Sequence, residues 1–137
     1  MVKIYVRSGT VYSNLHWTGF YNDVIEEIKQ EILSNGWKNI PSIPIMEFPI
    51  EDLMKRYRDC PSLHPPQYLL LRDGNHRLAA AGELKLLIPA IKYDDGDIVD
   101  FSIHGCPSLS NIRVNKKEEV ESLVRRLDDV AKFRKEH

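Results

Sequence analysis

Five consecutive residues concentrate the chemistry of this chain: Asp73-Gly74-Asn75-His76-Arg77. They lie between an apolar run, Leu69-Leu70-Leu71, and an alanine-rich segment, Leu78 to Leu84. That order predicts a strand, a tight turn and a helix, which puts Gly74 to Arg77 at a helix N-terminus. There the first backbone N–H groups lack intrahelical acceptors and the helix dipole favours negative charge. Arg77 and His76 add a cationic fork and a directional donor. Cations in a first turn oppose the dipole, and a bound anion relieves that conflict. The pattern supports phosphate binding, with the amides of Gly74, Asn75 and His76 facing the phosphates and Arg77 clamping them. The same residues also read as an ordinary turn with His76 and Arg77 in solvent. Residue types alone leave both readings open.

Other chemistry-bearing groups carry less. Asp94, Asp95 and Asp97 lack the twelve-residue calcium loop and its final glutamate, so a plain turn is expected. His104-Gly105-Cys106 sets a thiol beside a base without a third orienting group, and a structural cysteine is expected there. Asn75-His76 lacks the further histidines of an HNH nuclease. His16, Trp17 and His64 fall in loops, where Trp17 could stack on a base or simply pack at the surface.

The elements that must position the turn are legible from periodicity. Val2 to Val6 alternates and predicts a strand; Thr10 to Tyr12 predicts a short return strand. Tyr21 to Ser34 carries Tyr21, Val24, Ile25, Ile28 and Ile32 at helical spacing and stops at Asn35-Gly36. Ile43 to Phe48 predicts a strand, with Pro44 near its start or on an edge. Ile50 to Tyr57 predicts a short helix, and the prolines from Asp59 to Gln67 predict a loop. Leu69 to Leu71 is continuously apolar, as a strand buried on both faces would be. Ala79, Ala80 and Ala81 allow the helix after the turn to pack closely on the sheet. Ile88 to Tyr93, Ile98 to Ile103 and Ile112 to Val114 predict further strands. Asn115 can cap a long helix, 116–135, with a stripe of Val120, Leu123, Val124, Leu127, Val130 and Ala131.

The expected architecture is α+β: a small mixed β-sheet packed with about three helices, in one domain over residues 1–137. With 137 residues and a net charge of −1, the chain has no basic excess for a broad nucleic-acid footprint. Cys60 and Cys106 lie far apart and show no zinc spacing, so two free buried thiols are expected. No apolar run approaches a membrane span, and the sequence MVKIYVRSG has no signal-peptide core. A soluble, cytoplasmic protein is the expectation.

The turn and its flanks resemble the ParB/sulfiredoxin-like superfamily. The likeness rests on Asp73-Gly74-Asn75-His76-Arg77 with Leu78-Ala79-Ala80-Ala81, then Ile88-Pro89-Ala90-Ile91. Ile25-Glu26-Glu27-Ile28 and Ile32-Leu33-Ser34-Asn35-Gly36-Trp37 also resemble the helix and glycine stop before this turn in ParB-like domains. Residues 49–66 depart from the family pattern as a loop insertion. The resemblance implies a nucleotide site at the turn, holding ATP in sulfiredoxins and CTP in ParB proteins. The turn is similar too to the Asp-Gly-His-x-Arg of ADP-dependent serine kinases. It implies Gly74 as turn glycine, Arg77 as phosphate contact and His76 as a further phosphate or substrate contact. Asn75 stands where sulfiredoxins place their reactive cysteine, and an amide cannot form the sulfur intermediate, so that activity is not expected. The resemblance implies Asp73, which matches the kinase acid, as the candidate catalytic group, able to hold a magnesium ion or to accept a hydroxyl proton; Glu26 and Glu27 are candidates for the kinase's second acid. What is implied is a nucleotide- or phosphate-binding domain with ATP, ADP or CTP, or a phosphorylated small molecule, as ligand and magnesium as a candidate cofactor. Phosphotransfer or nucleotide hydrolysis is the enzymatic version. The alternative is a non-catalytic ParB-like module acting with a DNA-binding or other protein partner, since no helix-turn-helix pattern follows the domain.

Overall fold

A computed structural model describes residues 1–13, 21–49, 51, 67–106, 108 and 110–136. The fold is α+β. Its strands are β1 (Val2–Arg7), β2 (Val11–Tyr12), β3 (Ile43–Glu47), β4 (Tyr68–Leu70), β5 (Leu87–Lys92), β6 (Ile98–Val99) and β7 (Ile112–Arg113). Its helices are α1 (Asn22–Asn35), α2 (Asn75–Leu84) and α3 (Lys116–Glu136). Five strands make a mixed sheet in the order β1-β5-β3-β4-β2, and β6 pairs with β7 separately. The pairs β1–β5 and β3–β4 are antiparallel; β3–β5 and β2–β4 are parallel.

Alternation along the strands divides the core between two faces. On one, Ile43, Ile45, Leu70, Ile88 and Ala90 meet Leu78 and Ala81 of α2. On the other, Met46, Leu69 and Leu71 meet Val99, Phe101, Val114 and Leu123, the last from α3. The successive leucines 69, 70 and 71 thus serve opposite faces in turn, which is why β4 reads as unbroken apolar sequence. Helix α2 is covered twice. Ala81 turns to the sheet, while Ala80 meets Ile25 and Ile32 of α1. Small side chains on both flanks let this helix sit between two layers.

Three local expectations differ from the structure, and a fourth, the placing of Pro44, holds. The 10–12 segment does not return along β1: a 3₁₀ turn at Ser8–Thr10 carries it across, and Val11 and Tyr12 pair in parallel with Tyr68 and Leu69. Pro44 lies near the start of its strand, as expected, but that strand is the central one. Its carbonyl accepts from the Leu71 N–H at 2.9 Å. The missing proline N–H therefore faces Leu71 O, which accepts the Asp73 N–H at 2.7 Å instead, so the lost ladder bond leaves no acceptor stranded. The strand expected through Ile103 stops at Val99, because Asp100 accepts from both the N–H and the hydroxyl of Ser102 and turns Phe101–His104 into a 3₁₀ helix. The apolar face of α1 is narrower than its spacing suggests: Ile25 and Ile32 are buried, whereas Tyr21 and Val24 are exposed.

Asn35-Gly36 ends α1 as expected, with Gly36 at φ 65° and its N–H on Ile32 O. Asn115 caps α3 through Oδ1 to the Glu118 N–H. The loop expected at Asn14 to Thr18, the helix expected at Ile50 to Tyr57 apart from Glu51, the loop expected from Asp59 to Pro66, and Cys60, His16, Trp17 and His64 lie outside the described residues. So do the side chains of Leu127, Val130 and Ala131. No described helix is long and apolar enough to cross a membrane.

Candidate functional site

The turn is built on two unusual backbone positions. After β4, Arg72 adopts φ 61°, and the Asp73 N–H donates back to Leu71 O at 2.7 Å. A bond of this span with a positive φ at its centre is a γ-turn, and a non-glycine residue held there costs about 1–3 kcal/mol. Gly74 follows at φ 121° as N-cap of α2, and its carbonyl accepts the first helical bond, from the Leu78 N–H. A Cβ at position 74 would stand 2.7 Å from Ile43 Cγ2. Glycine is required here both for its backbone conformation and for the close approach of β3.

Each candidate side chain has a definite place. Arg77 is buried. Its Nη1 donates to Pro41 O at 2.8 Å and to Ser42 O at 3.2 Å, tying α2 to the chain entering β3. Its Nη2 is also buried and makes no hydrogen bond. Asp73 Oδ2 lies 3.7 Å from it, paired in charge but beyond hydrogen-bond length. Burial is the main influence on Arg77 and lowers its pKa, while Asp73 opposes this. Asp73 Oδ1 accepts the Gly74 N–H at 2.7 Å. That amide, expected to face a phosphate, is therefore engaged within the turn. Asn75 is buried and accepts from the Ser13 hydroxyl at 2.7 Å. His76 accepts the Tyr21 N–H on Nε2 at 3.0 Å and stacks on the Tyr21 ring at 5.8 Å. Those contacts join the N-termini of α1 and α2. The N-cap of α2, Gly74, has no side chain to offer a capping bond.

Two residues that sequence spacing kept apart from the turn belong to it. The Cys106 thiol donates to Asp73 Oδ2. Cys106 is a free, half-buried thiol, and burial, this bond and the carboxylate charge push it up to about 11. It is a neutral donor, not a nucleophile. His104 is buried and its Nδ1 meets Ser42 O at 2.6 Å. A carbonyl only accepts, so Nδ1 carries the proton and Nε2 accepts the Tyr93 hydroxyl at 2.9 Å. Both ring nitrogens are thereby committed, and burial lowers the His104 pKa, with the Arg77 charge adding to the effect. Ser42 O thus receives both Arg77 and His104. No local motif signals this hub, because a backbone carbonyl at Ser42 has no sequence signature.

Of these groups, Asp73, Gly74, His76, Arg77 and His104 border a cleft of ≈ 390 Å³ between α1 and the start of α2, whereas Asn75 and Cys106 do not line it. Val24, Ile28, Ile40 and Pro41 give it apolar surface, while Asp73, Gly74, His76 and Arg77 supply the turn. Glu27 and Glu31 border it from α1. Of the two helix acids singled out from sequence, Glu27 lines the cleft, whereas Glu26 pairs with Lys29 at 3.0 Å. Asn35 and Asn39 hold Glu31 and lower its pKa.

This donor set does not form a magnesium site as it stands. Both Asp73 oxygens accept hydrogen bonds, and a guanidinium lies 3.7 Å from one of them. Among the described residues, no group of three or more His, Cys, Asp or Glu side chains could hold a metal ion. Comparison with protein-family models, curated proteins and solved structures returned no match.

Proposed function

We propose that this cleft is a phosphate-binding site, and that the protein is a nucleotide- or phosphate-binding domain of the ParB/sulfiredoxin-like kind. The observation that carries the reading is Arg77 Nη2: a buried cationic donor without a hydrogen bond, beside a helix N-terminus whose N-cap glycine has no capping side chain. An unsatisfied buried donor costs about 1–3 kcal/mol, and more when charged. An anion entering the cleft would make the bond that Asp73 stops short of. The ligand is a nucleotide or a phosphorylated small molecule, in a cytoplasmic setting that suits the free thiol of Cys106.

Binding without turnover is the version the site favours, because both Asp73 oxygens are engaged. It agrees with a module that works through a DNA-binding or other protein partner. Phosphotransfer or nucleotide hydrolysis would require Asp73 to exchange the Cys106 thiol for a metal ion or a substrate hydroxyl. An amide NMR titration with inorganic phosphate, ADP, ATP and CTP tests the reading: the resonances of residues 75–77 should move first and furthest.

A further inference from the structure

We propose that the cleft takes one compact phosphate group, as on a small phosphomonoester, and takes it without magnesium. This rests on the phosphate-site reading above and names its ligand class.

Charge limits the size of the anion. The positive side of the site is one guanidinium, Arg77, and the end of α2. A helix N-terminus is equivalent to roughly half a positive charge, so these two supply about +1.5, which the Asp73 carboxylate 3.7 Å from Nη2 reduces to about +0.5. A phosphomonoester, at about −1.5 to −2 at neutral pH, brings less negative charge than any polyphosphate. A polyphosphate would bring further negative charge against Glu27 and Glu31 on the facing helix. Glu31 is held ionised by its two asparagine partners. Without a metal ion, nothing described in the cleft offsets that excess.

Cys106 occupies the carboxylate that a metal ion would need. A magnesium ion that accompanied the ligand would need an Asp73 oxygen. Oδ1 is taken by the Gly74 amide and Oδ2 by the Cys106 thiol, with Arg77 Nη2 3.7 Å from Oδ2. The thiol therefore stands where a bond from metal to Asp73 would form, and the nearby guanidinium repels a second cation. Size agrees, since ≈ 390 Å³ lies toward the small end of ligand pockets.

The test titrates the full chain with phenyl phosphate and with ATP, each in EDTA and in magnesium chloride, and follows the amide resonances of residues 75–77. A separate measurement follows manganese binding by water-proton relaxation, in wild type and in Asp73→Asn. Expected are equal phenyl phosphate affinities in the two buffers to within about twofold, ATP binding no tighter than phenyl phosphate, and the same manganese relaxation in both proteins. A tightening of about tenfold or more by magnesium overturns the inference while leaving the phosphate site standing. Manganese binding that Asp73→Asn abolishes does the same. Failure of every phosphate compound to move residues 75–77 in either buffer overturns the site reading itself, and this inference with it.

Discussion

The contact between Cys106 and Asp73 makes a quantitative prediction about thiol reactivity. The Cys106 thiol is pushed up to about 11 from an ordinary value of 9.0, chiefly by burial and then by Asp73. At pH 8 that leaves a thiolate fraction of about 0.001, against about 0.1 for an unperturbed thiol, a deficit near a hundredfold. A more basic thiolate is also a better nucleophile. With a Brønsted slope of about 0.4–0.5, the rise recovers roughly six- to tenfold. Native Cys106 should therefore react with a disulfide reagent at least about tenfold more slowly than in the unfolded chain, before any loss of access through burial. The assay uses Cys60→Ser to isolate one thiol, with dithiobis(nitrobenzoate) rates measured from pH 7 to about 10 in buffer and in urea. The native rate should climb through that range without a plateau. Asp73→Asn should react faster than its parent, though still slower than the unfolded chain, since burial remains. A native plateau centred near pH 8.5, or equal native and unfolded rates, would refute the assignment of Cys106 as neutral donor to Asp73.

Two further perturbations probe the frame around the turn. Gly74→Ala combines a positive φ with a clash against Ile43 and should lower unfolding stability in urea by about 2–6 kcal/mol; a loss under about 1 kcal/mol would contradict the described backbone. His104 has a lowered pKa in the folded state. The stability it contributes is thus complete above the ordinary histidine value near 6.5 and is lost as the pH falls below it. Wild type should lose stability on acidification more steeply than His104→Gln, by at most about 1.4 kcal/mol per pH unit, and parallel pH profiles would exclude this role.

Much of the fold was legible because its physics is local. Leu69 to Leu71 announced a strand buried on both faces, and Ala79 to Ala81 announced a helix in close contact with its neighbours. Asn35-Gly36 marked a helix end. Non-local pairing was not legible. Nothing in Val11-Tyr12 says that it pairs in parallel with Tyr68-Leu69, and the Asp100–Ser102 cap competes with a strand pattern that runs on to Ile103. In the site, Asp73, Gly74 and Arg77 could be picked out because turn chemistry and residue type coincide. Cys106 was hidden by its distance along the chain, and the partners of Arg77 were hidden because they are main-chain carbonyls. Arg77 looked like a phosphate clamp alone, yet Nη1 is a structural tie to Pro41 and Ser42. Nη2 is the half of the fork still without a hydrogen bond.

That division of the guanidinium is what the most direct measurement should examine. The chain, labelled with ¹⁵N, is titrated with inorganic phosphate and then with ADP, ATP and CTP, observing backbone amides and arginine side-chain resonances. Saturable shifts are expected on the amides of Asn75, His76 and Arg77 and on the Arg77 guanidinium, with smaller changes at Glu27 across the cleft. Shifts absent from residues 75–77 while other parts of the surface respond, or no saturable response to any phosphate ligand, would contradict the phosphate-site proposal.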